Sequence, residues 1–562
     1  MNNSQETPKR KRIRKPVQVF TQLTSGPERV TIDEPILVEL GELADEYGFE
    51  LYAVGGYVRD YFLNTPRKDI DCTVVGDSLK FARIVAEKYN SRAIVYERFR
   101  TAMVPIGKYH VEFVGTRKEV YMPNSRNPIV TEGTLHDDLR RRDFTINAMA
   151  VSLNKMTFGE LTDLFGGKED IELKILRTPL DPGVTFSEDP LRMLRAARFS
   201  SQLDFDIAPI CFLQIEKMAD RIKIISQERI SEEFLRIIDS PKPSIGLSII
   251  YESGLMRNVF PELQQLGGVE IKHEGDVSYG HKDVFTHSLK VLDNIAEMTN
   301  DRWLRFAALV HDIAKPRTKK FIEGTGWTFH GHEELGARWM NKIFRRMKLP
   351  LEHLEQVETL IRLHQRPMTL VDEGVSDSAV RRLAFHAGEY LDDLFTLVRA
   401  DITTKNPGLS EKYKQNYEKV FRKVLYVQEK DKLREFQSPV RGEEIMELCG
   451  IEPSRAVGQI KTKIEEAILD GIIPNEYEAA KKFFLSNKKE WIKEFVPPPA
   501  PKKRGRKKKV VEEPVEENDF FNPELNPVTH NEEDTIFGIL LKDKGTMDKY
   551  EEFEKKYGKY NK

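Results

Sequence analysis

Cysteine is nearly missing from this chain of 562 residues: there are three, Cys72, Cys211 and Cys449, far apart along the sequence. They form no CxxC pair and no disulfide framework, so a reducing cytoplasm is the natural compartment. Long apolar runs are missing as well. No stretch approaches the roughly 20 residues that span a bilayer, and the basic N-terminus lacks the apolar core of a signal peptide, so no membrane partner is expected. Net charge is also close to absent, at −2. Any grip on nucleic acid must therefore come from local patches rather than from overall charge.

What is present suffices for several cores. Hydrophobic residues make up 40% of the chain, and the length suits about three to four domains. The positive charge gathers near both ends, at Lys9–Lys15 and Lys502–Lys509. Residues 1–30 read as a flexible basic arm, and such a tract binds phosphate without sequence preference or is simply solvated. From Pro497 the composition turns Pro-rich, then basic, then acidic, which predicts a disordered tail over 496–562 with room for one short helix at Thr535–Tyr557.

The first stretch with chemistry in it is 51–76, LYAVGGYVRDYFLNTPRKDIDCTVVG. An apolar strand, Leu51 to Val54, ends in Gly55-Gly56, a polar helical turn carries Arg59 and Asp60, and a second strand carries Asp69-Ile70-Asp71. Side chains alternate on a strand, so Asp69 and Asp71 share a face. Two adjacent carboxylates repel unless a cation lies between them. Beside a glycine turn that exposes N–H groups to phosphate they suggest metal-assisted nucleotide chemistry. The plainer reading is a strand–turn–helix with two solvated acids.

Residues 31–180 read as a mixed α/β head. Leu37–Tyr47 and Leu79–Tyr89 fit amphipathic helices, and Ala93–Tyr96, Ala102–Ile106 and His110–Val114 fit short strands. Glu112, in the last of these, is either a third metal-facing carboxylate or an edge acid facing water. Gly115–Thr134 reads as a polar, mobile loop. The run Asp137-Asp138-Leu139-Arg140-Arg141-Arg142-Asp143-Phe144-Thr145-Ile146-Asn147 follows. Its arginine forks suit phosphate oxygens, and Asp143 or Asn147 suits a ribose hydroxyl. The alternative is a salt-bridged helix N-terminus. Further on, Glu188-Asp189-Pro190-Leu191-Arg192 reads as a helix opening, with Pro190 in the first turn and the acids as caps. Asp189 and Arg192, three apart, would share a helical face and offer an acceptor and a donor to the edge of a base.

GGYVRD with DID, RRDFTINA and EDPLRMLRAARF, in this order, resemble class II template-independent nucleotidyltransferases, the bacterial CCA-adding enzymes and poly(A) polymerases of the polymerase-β superfamily. The resemblance covers roughly residues 35–260. It implies that Asp69 and Asp71 are catalytic and hold two Mg²⁺ for in-line displacement. It implies that Gly55, Gly56 and Arg59 hold the triphosphate, that Arg141, Arg142 and Asp143 position ribose and phosphate, and that Asp189 and Arg192 select CTP or ATP, with Glu188 and Arg195 in support. The expected activity is addition of CCA to tRNA 3′ ends. The runners-up are a poly(A) polymerase, a CC- or A-adding specialist, and an RNA-binding phosphohydrolase that does not polymerise.

A helical neck is expected over 181–270. Beyond it, His287, His311-Asp312, His332, His364 and Asp401 fall on successive apolar helices. Single histidines there are usually core residues, but imidazoles and carboxylates together suit a divalent transition metal. The set resembles the HD phosphohydrolase superfamily in its binuclear form, over 271–430, either active or retained as scaffold. Residues 431–495 resemble the helical module that grips tRNA, with Pro453, Gly458 and Lys461 about a helix start.

Overall fold

The computed structural model describes residues 28–495 apart from 67–68, 98–99, 121–128, 269–271, 275–276, 281–282, 372–375 and 432–437. The basic arm, except its last three residues, and the tail from 496 lie outside the described residues. The chain divides into two compact units, one built from residues up to 120 and 129–172, the other from 173 onward.

The first unit is a sheet with helices. In chain order it runs α1 (Pro35–Tyr47), β1 (Glu50–Val54), α2 (Gly56–Phe62), β2 (Asp69–Val75), α3 (Ser78–Lys88), β3 (Ile94–Tyr96), β4 (Thr101–Ile106), β5 (Tyr109–Gly115), β6 (Arg117–Val120), β7 (Ile129–Glu132), α4 (Leu135–Arg140), β8 (Met149–Ser152), β9 (Leu161–Asp163) and α5 (Gly167–Leu173). Seven strands form one sheet in the order β3-β4-β5-β2-β1-β8-β9. The pair β2–β5 is parallel and the other pairs are antiparallel, so the expected mixed α/β head is what forms.

The alternation of β2 decides where the site lies. Ile70, Cys72 and Val74 are buried, with Leu51 and Ala53 of β1 beside them. Helix α3 covers this face, and its Phe81 meets Phe113 of β5 edge-on at 5.4 Å. Each such buried side chain contributes roughly 1.5–3 kcal/mol. Asp69, Asp71 and Thr73 project the other way, on the face shared with Tyr52 and Val54. There Leu139 of α4 packs on Val54 and Ala150.

The polar loop expected over Gly115–Thr134 is instead largely a hairpin at its ends: β6 and β7 pair antiparallel, Arg117 opposite Glu132 and Lys118 opposite Thr131. Val120, Ile129, Val130 and Thr131 are β-branched, and that preference outweighs the Pro and Asn residues between them. Those middle residues, 121–128, lie outside the described ones.

The second unit is mostly helical, with short two-stranded pairings. Its first part holds α6 (Pro182–Glu188), α7 (Leu191–Leu203), α8 (Pro209–Met218), α9 (Gln227–Ile238), α10 (Pro243–Glu252), α11 (Met256–Val259) and α12 (Pro261–Gln264). Then come α13 (Val284–Ala296), α14 (Arg302–Val310), α15 (Lys315–Thr318), α16 (His332–Arg346), α17 (Leu354–Leu363), α18 (Arg366–Thr369), α19 (Asp377–Ala387), α20 (Leu391–Ala400) and α21 (Pro407–Asp431). The last three helices, α22 (Gly442–Cys449), α23 (Arg455–Leu469) and α24 (Tyr477–Phe495), close over a core of their own that includes Ile445, Ile460, Ile464, Phe484 and Trp491. Among the described residues no helix is long and apolar enough to cross a membrane.

One buried cation holds helix ends together. The guanidinium of Arg305, only 3% exposed, donates to the carbonyls of Ile238, Ser240, Ala296 and Thr299 and to Asn300 Oδ1, at 2.8–3.2 Å. It thereby satisfies the C-terminal carbonyls of α9 and α13, which have no intrahelical donor. Arg305→Leu is expected to cost about 3 kcal/mol, because several buried acceptors lose their partner at once. Thermal unfolding of the full chain would show it as a lowered midpoint; an unchanged midpoint would sink the argument.

Candidate active site and metal centre

Gly55 opens the first site. It has φ +66, a left-handed backbone that favours glycine, and a Cβ there would lie 2.7 Å from Arg142 Nη1. The absence of a side chain thus lets Arg142 lie against the turn. Arg59 of α2 donates from Nη1 to Asn147 Oδ1 at 2.9 Å and pairs with Asp60. Asn147 in turn donates to Asp143 Oδ1 at 3.0 Å. Asp143 and Asn147, the candidates for a ribose contact, are both buried and linked to each other.

The three arginines are not at a helix N-terminus. Thr134 and Asp137 make a capping box that starts α4, so Arg140 ends the helix and Arg141 is its C-cap. The acids at the front of that helix compete better for the N-cap, and the arginines suit the negative end of the dipole. Arg140 is exposed. Arg141 and Arg142 both turn to Asp138, which is fully buried. Burial alone would raise Asp138, but Arg142 and Arg141 hold its carboxyl below the usual range.

Asp69 is exposed and Asp71 half-buried at the start of β2. Burial pushes the Asp71 carboxyl up, Arg142 pulls it down, and Asp69 pushes it up again. Glu112 lies opposite Asp71 in the parallel β2–β5 pair, and its carboxyl is raised by burial and by Asp71. It is therefore the adjacent carboxylate rather than a remote edge acid. Asp69, Asp71 and Glu112 together offer a donor set of hard oxygens that fits a divalent cation such as Mg²⁺.

In the second unit the expected helix opening at Glu188 is a junction between two helices. Glu188 ends α6, Asp189 is its extended C-cap, and Pro190 precedes α7. The shared-face argument for Asp189 and Arg192 therefore does not hold, since Asp189 is not helical. Proline disfavours α-conformation in the residue before it, and this breaks the helix. Asp189 does cap α7, accepting from Leu191 N–H at 3.1 Å, and its other oxygen accepts from Arg229 at 2.9 Å. Arg192 donates to Glu188 at 3.0 Å and to the Thr185 carbonyl at 3.1 Å. Arg195 is 3.7 Å from Glu233, which also pairs with Arg198 at 3.2 Å. Arg229 and Glu233 come from a distant helix, α9, and no local spacing announced them.

The six residues of the second constellation do converge. His311 and Asp312 follow α14, His332 opens α16, His364 follows α17, Asp401 follows α20, and His287 lies inside α13. Asp312 Oδ2 is 3.2 Å from His311 Nε2 and 3.5 Å from His287 Nε2. Its Oδ1 is 3.2 Å from His332 Nε2 and 3.7 Å from His364 Nε2. Asp401 lies 3.0 Å from His287. Two candidate donor triads result, His287/His311/Asp312 and Asp312/His332/His364, which share Asp312.

The ring hydrogen bonds set the tautomers. The Nδ1 atoms of His311, His332 and His364 lie 2.6–2.8 Å from the carbonyls of Ala308, Phe329 and Ile361. Each Nδ1 donates, so in the neutral ring it is Nε2 that presents a lone pair inward. His332 Nε2 and His364 Nε2 then face each other at 3.4 Å as two acceptors, and Asp312 Oδ1 is buried without a hydrogen-bond donor. A cation resolves that opposition, and imidazole with carboxylate fits a divalent metal. His287 Nδ1 instead meets Thr403 Oγ1 at 3.2 Å. Lys315, which sequence spacing did not single out, places its ammonium 2.6 Å from Asp312 Oδ2. Burial would raise Asp312, yet His311 and Lys315 hold it well below the carboxylate range. Burial lowers His311, but Asp312 and Asp401 bring it up to about 9. Burial and His311 push His364 down to about 4.

Comparison with known proteins follows the same division. Residues 51–177 match the poly A polymerase head domain, 204–266 the probable RNA and SrmB-binding site of polymerase A, and 284–393 the HD domain. The chain is 30% identical over 435 residues to the A-adding tRNA nucleotidyltransferase of Deinococcus radiodurans, covering 76% of this chain and 93% of that one. It is 33% identical over 341 residues to the multifunctional CCA protein of Methylococcus capsulatus, covering 57% and 75%. The fold is that of the Bacillus stearothermophilus CCA-adding enzyme solved with CTP (TM-score 0.54, 22% identity, 82% of this chain and 100% of that chain). It is likewise that of a tRNA nucleotidyltransferase solved with a primer tRNA and an ATP analogue (TM-score 0.51, 23% identity, 69% and 99%).

Proposed function

The chain belongs to the tRNA nucleotidyltransferase family with a poly(A) polymerase-type head, and from that we propose that it completes tRNA 3′ ends with CCA, using CTP and ATP. Asp69 and Asp71 are the catalytic carboxylates and would hold Mg²⁺, with Glu112 alongside. The bound cation supplies charge neutralisation of the triphosphate and acidifies the attacking hydroxyl. Arg59, Arg141 and Arg142, with the Gly55-Gly56 turn, bind the triphosphate. Asp143 and Asn147 orient the sugar.

The observation that carries the choice of CCA is the way Asp189 and Arg192 are held. Each is fixed by a partner outside the pair, Asp189 by Arg229 and Arg192 by Glu188. The two are thus held in place by other residues rather than by each other, and in the family reading this acid and this arginine select the incoming base. Cytosine and adenine each present a donor next to an acceptor, and a small adjustment of this pair accepts either. Arg195, tied to Glu233, supports α7 rather than reading a base.

Incubation with a tRNA that lacks its terminal triplet tests this. CTP alone should add two residues, and CTP with ATP should complete three. A specific second reading comes from the Deinococcus relative, whose name marks it as A-adding: in that case only a tRNA already ending in CC is extended, and only by ATP. Indefinite ATP incorporation into any RNA would mean a poly(A) polymerase. In either form, failure to use CTP on the tRNA that lacks its triplet sinks CCA addition.

The HD residues are proposed to hold a divalent transition metal and to hydrolyse phosphate esters at RNA ends. The free thiols, Cys72 and Cys211 buried and Cys449 half-buried, suit a cytoplasmic enzyme.

A further inference from the structure

Among the described residues of the first unit, Asp138 touches Arg141, Arg142 and the strand that carries Asp69 and Asp71. Its Oδ1 accepts from Arg141 Nε at 3.1 Å, and its Oδ2 accepts from Arg142 Nη2 at 3.0 Å and from Thr73 Oγ1 at 3.3 Å. The carboxylate is wholly buried. Asp137 already serves as the N3 residue of the capping box, so Asp138 is not needed to start the helix. A buried acid between two guanidiniums costs desolvation that only such pairing offsets.

Thr73 is the second informative residue. It follows Asp71 by two positions on β2 and therefore points to the same face. It is fully buried between Cys72 and Val74. Valine has the same shape and a better strand preference at an apolar site, so packing does not call for the hydroxyl; the bond to Asp138 does. The opposite end of Arg142 is fixed as well, Nη1 donating to the Asn147 carbonyl at 3.3 Å against Gly55.

We propose that Asp138 is a positioning residue: one carboxylate aims Arg141 and Arg142, and Thr73 locks that carboxylate to the strand bearing Asp69 and Asp71, so that the cationic and metal-binding halves of the site keep one register. This rests on the reading of the head as a nucleotide-triphosphate site. It predicts that the relay governs the triphosphate and not the base.

The experiment uses the full chain with CTP, ATP and CMP. Thr73→Val should raise KM for CTP and ATP alike by about fivefold, with kcat changed less than twofold, the scale of one lost hydrogen bond. Thr73→Ser restores the hydroxyl without the methyl and should return KM to the wild-type value, which a packing role would not allow. Asp138→Asn should lower the preference for CTP over CMP in equilibrium binding by about a hundredfold, the scale of a broken buried ion pair. If Asp138→Asn fails to fold, the threonine pair still decides. Thr73→Val with wild-type KM, or a Thr73→Ser that behaves like Thr73→Val, overturns the relay while the wild type stays active. A wild type that neither binds nor transfers nucleotides overturns the relay together with the functional reading.

Discussion

Asp71→Asn is expected to lower nucleotide transfer by at least about a thousandfold while leaving the chain folded. The substitution keeps the shape of the side chain on β2 and removes its charge. Asp71 is the more enclosed of the strand's two acids, with Asp69 two positions earlier and Glu112 opposite on β5. Without it, a cation keeps only the exposed Asp69 and a glutamate from the neighbouring strand. The stability consequence has a definite sign. The folded-state carboxyl is raised above its ordinary value, so the folded chain loses stability as pH rises through the ordinary range toward that raised value. At neutral pH, without added divalent cation, the ionised group is a net burden on the fold. Asn removes that burden, and the melting temperature should stay level or rise. A variant with more than a tenth of wild-type transfer would rule out Asp71 as a catalytic carboxylate. A variant that melts earlier would show instead that the acid is structural.

What could be read in advance divides along the range over which each signal acts. The alternation of Asp69, Ile70 and Asp71 is local, and it placed both carboxylates on one face before the sheet was known. The parallel pairing of β2 with β5 is a long-range property. Period-two patterning marks the strands but does not say which of them are neighbours, so Glu112 stood undecided until the register put it opposite Asp71. The junction at Glu188 is hidden in the sequence for a related reason. Glu-Asp-Pro fits an N-terminal cap equally well whether or not another helix runs into it, and here α6 does. The alternative of a salt-bridged helix N-terminus at Arg140–Arg142 fails because the capping box of Thr134 and Asp137 starts the helix upstream and leaves the arginines at its other end. Asp138 shows in the sequence only as one of the acids beside the arginines, and Thr73, Arg229 and Glu233 give no signal at all. Each matters through one contact made across the fold, and a single buried polar residue has no period to detect. The HD residues are legible because six chemically apt side chains on five amphipathic helices, α13, α14, α16, α17 and α20, repeat the same placement at or near a helix end.

That shared placement gives Asp312 the second large effect. Asp312→Asn should abolish binding of Mn²⁺ or Ni²⁺ to the full chain, with tRNA nucleotidyl transfer left intact. The reason is geometric: one carboxylate faces both triads, Oδ2 toward His287 and His311, Oδ1 toward His332 and His364. Any histidine change removes a donor from one triad only, so His364→Gln should reduce the metal bound to about half and Asp312→Asn to none. Lys315 strengthens the prediction. Its ammonium is already 2.6 Å from Asp312 Oδ2, and once the carboxylate charge is gone that cation is left unbalanced beside the incoming metal. Binding should therefore fall by more than a lost ligand accounts for, and Lys315→Met in the Asp312→Asn background should recover part of it. Titration of the metal-free protein with the metal alone, read by calorimetry and by elemental analysis after dialysis, separates the cases. Equal stoichiometry in wild type and Asp312→Asn would mean that the carboxylate holds the histidines in place without meeting a metal, and a loss of tRNA transfer in the same variant would mean that the two chemistries of the chain are not separable.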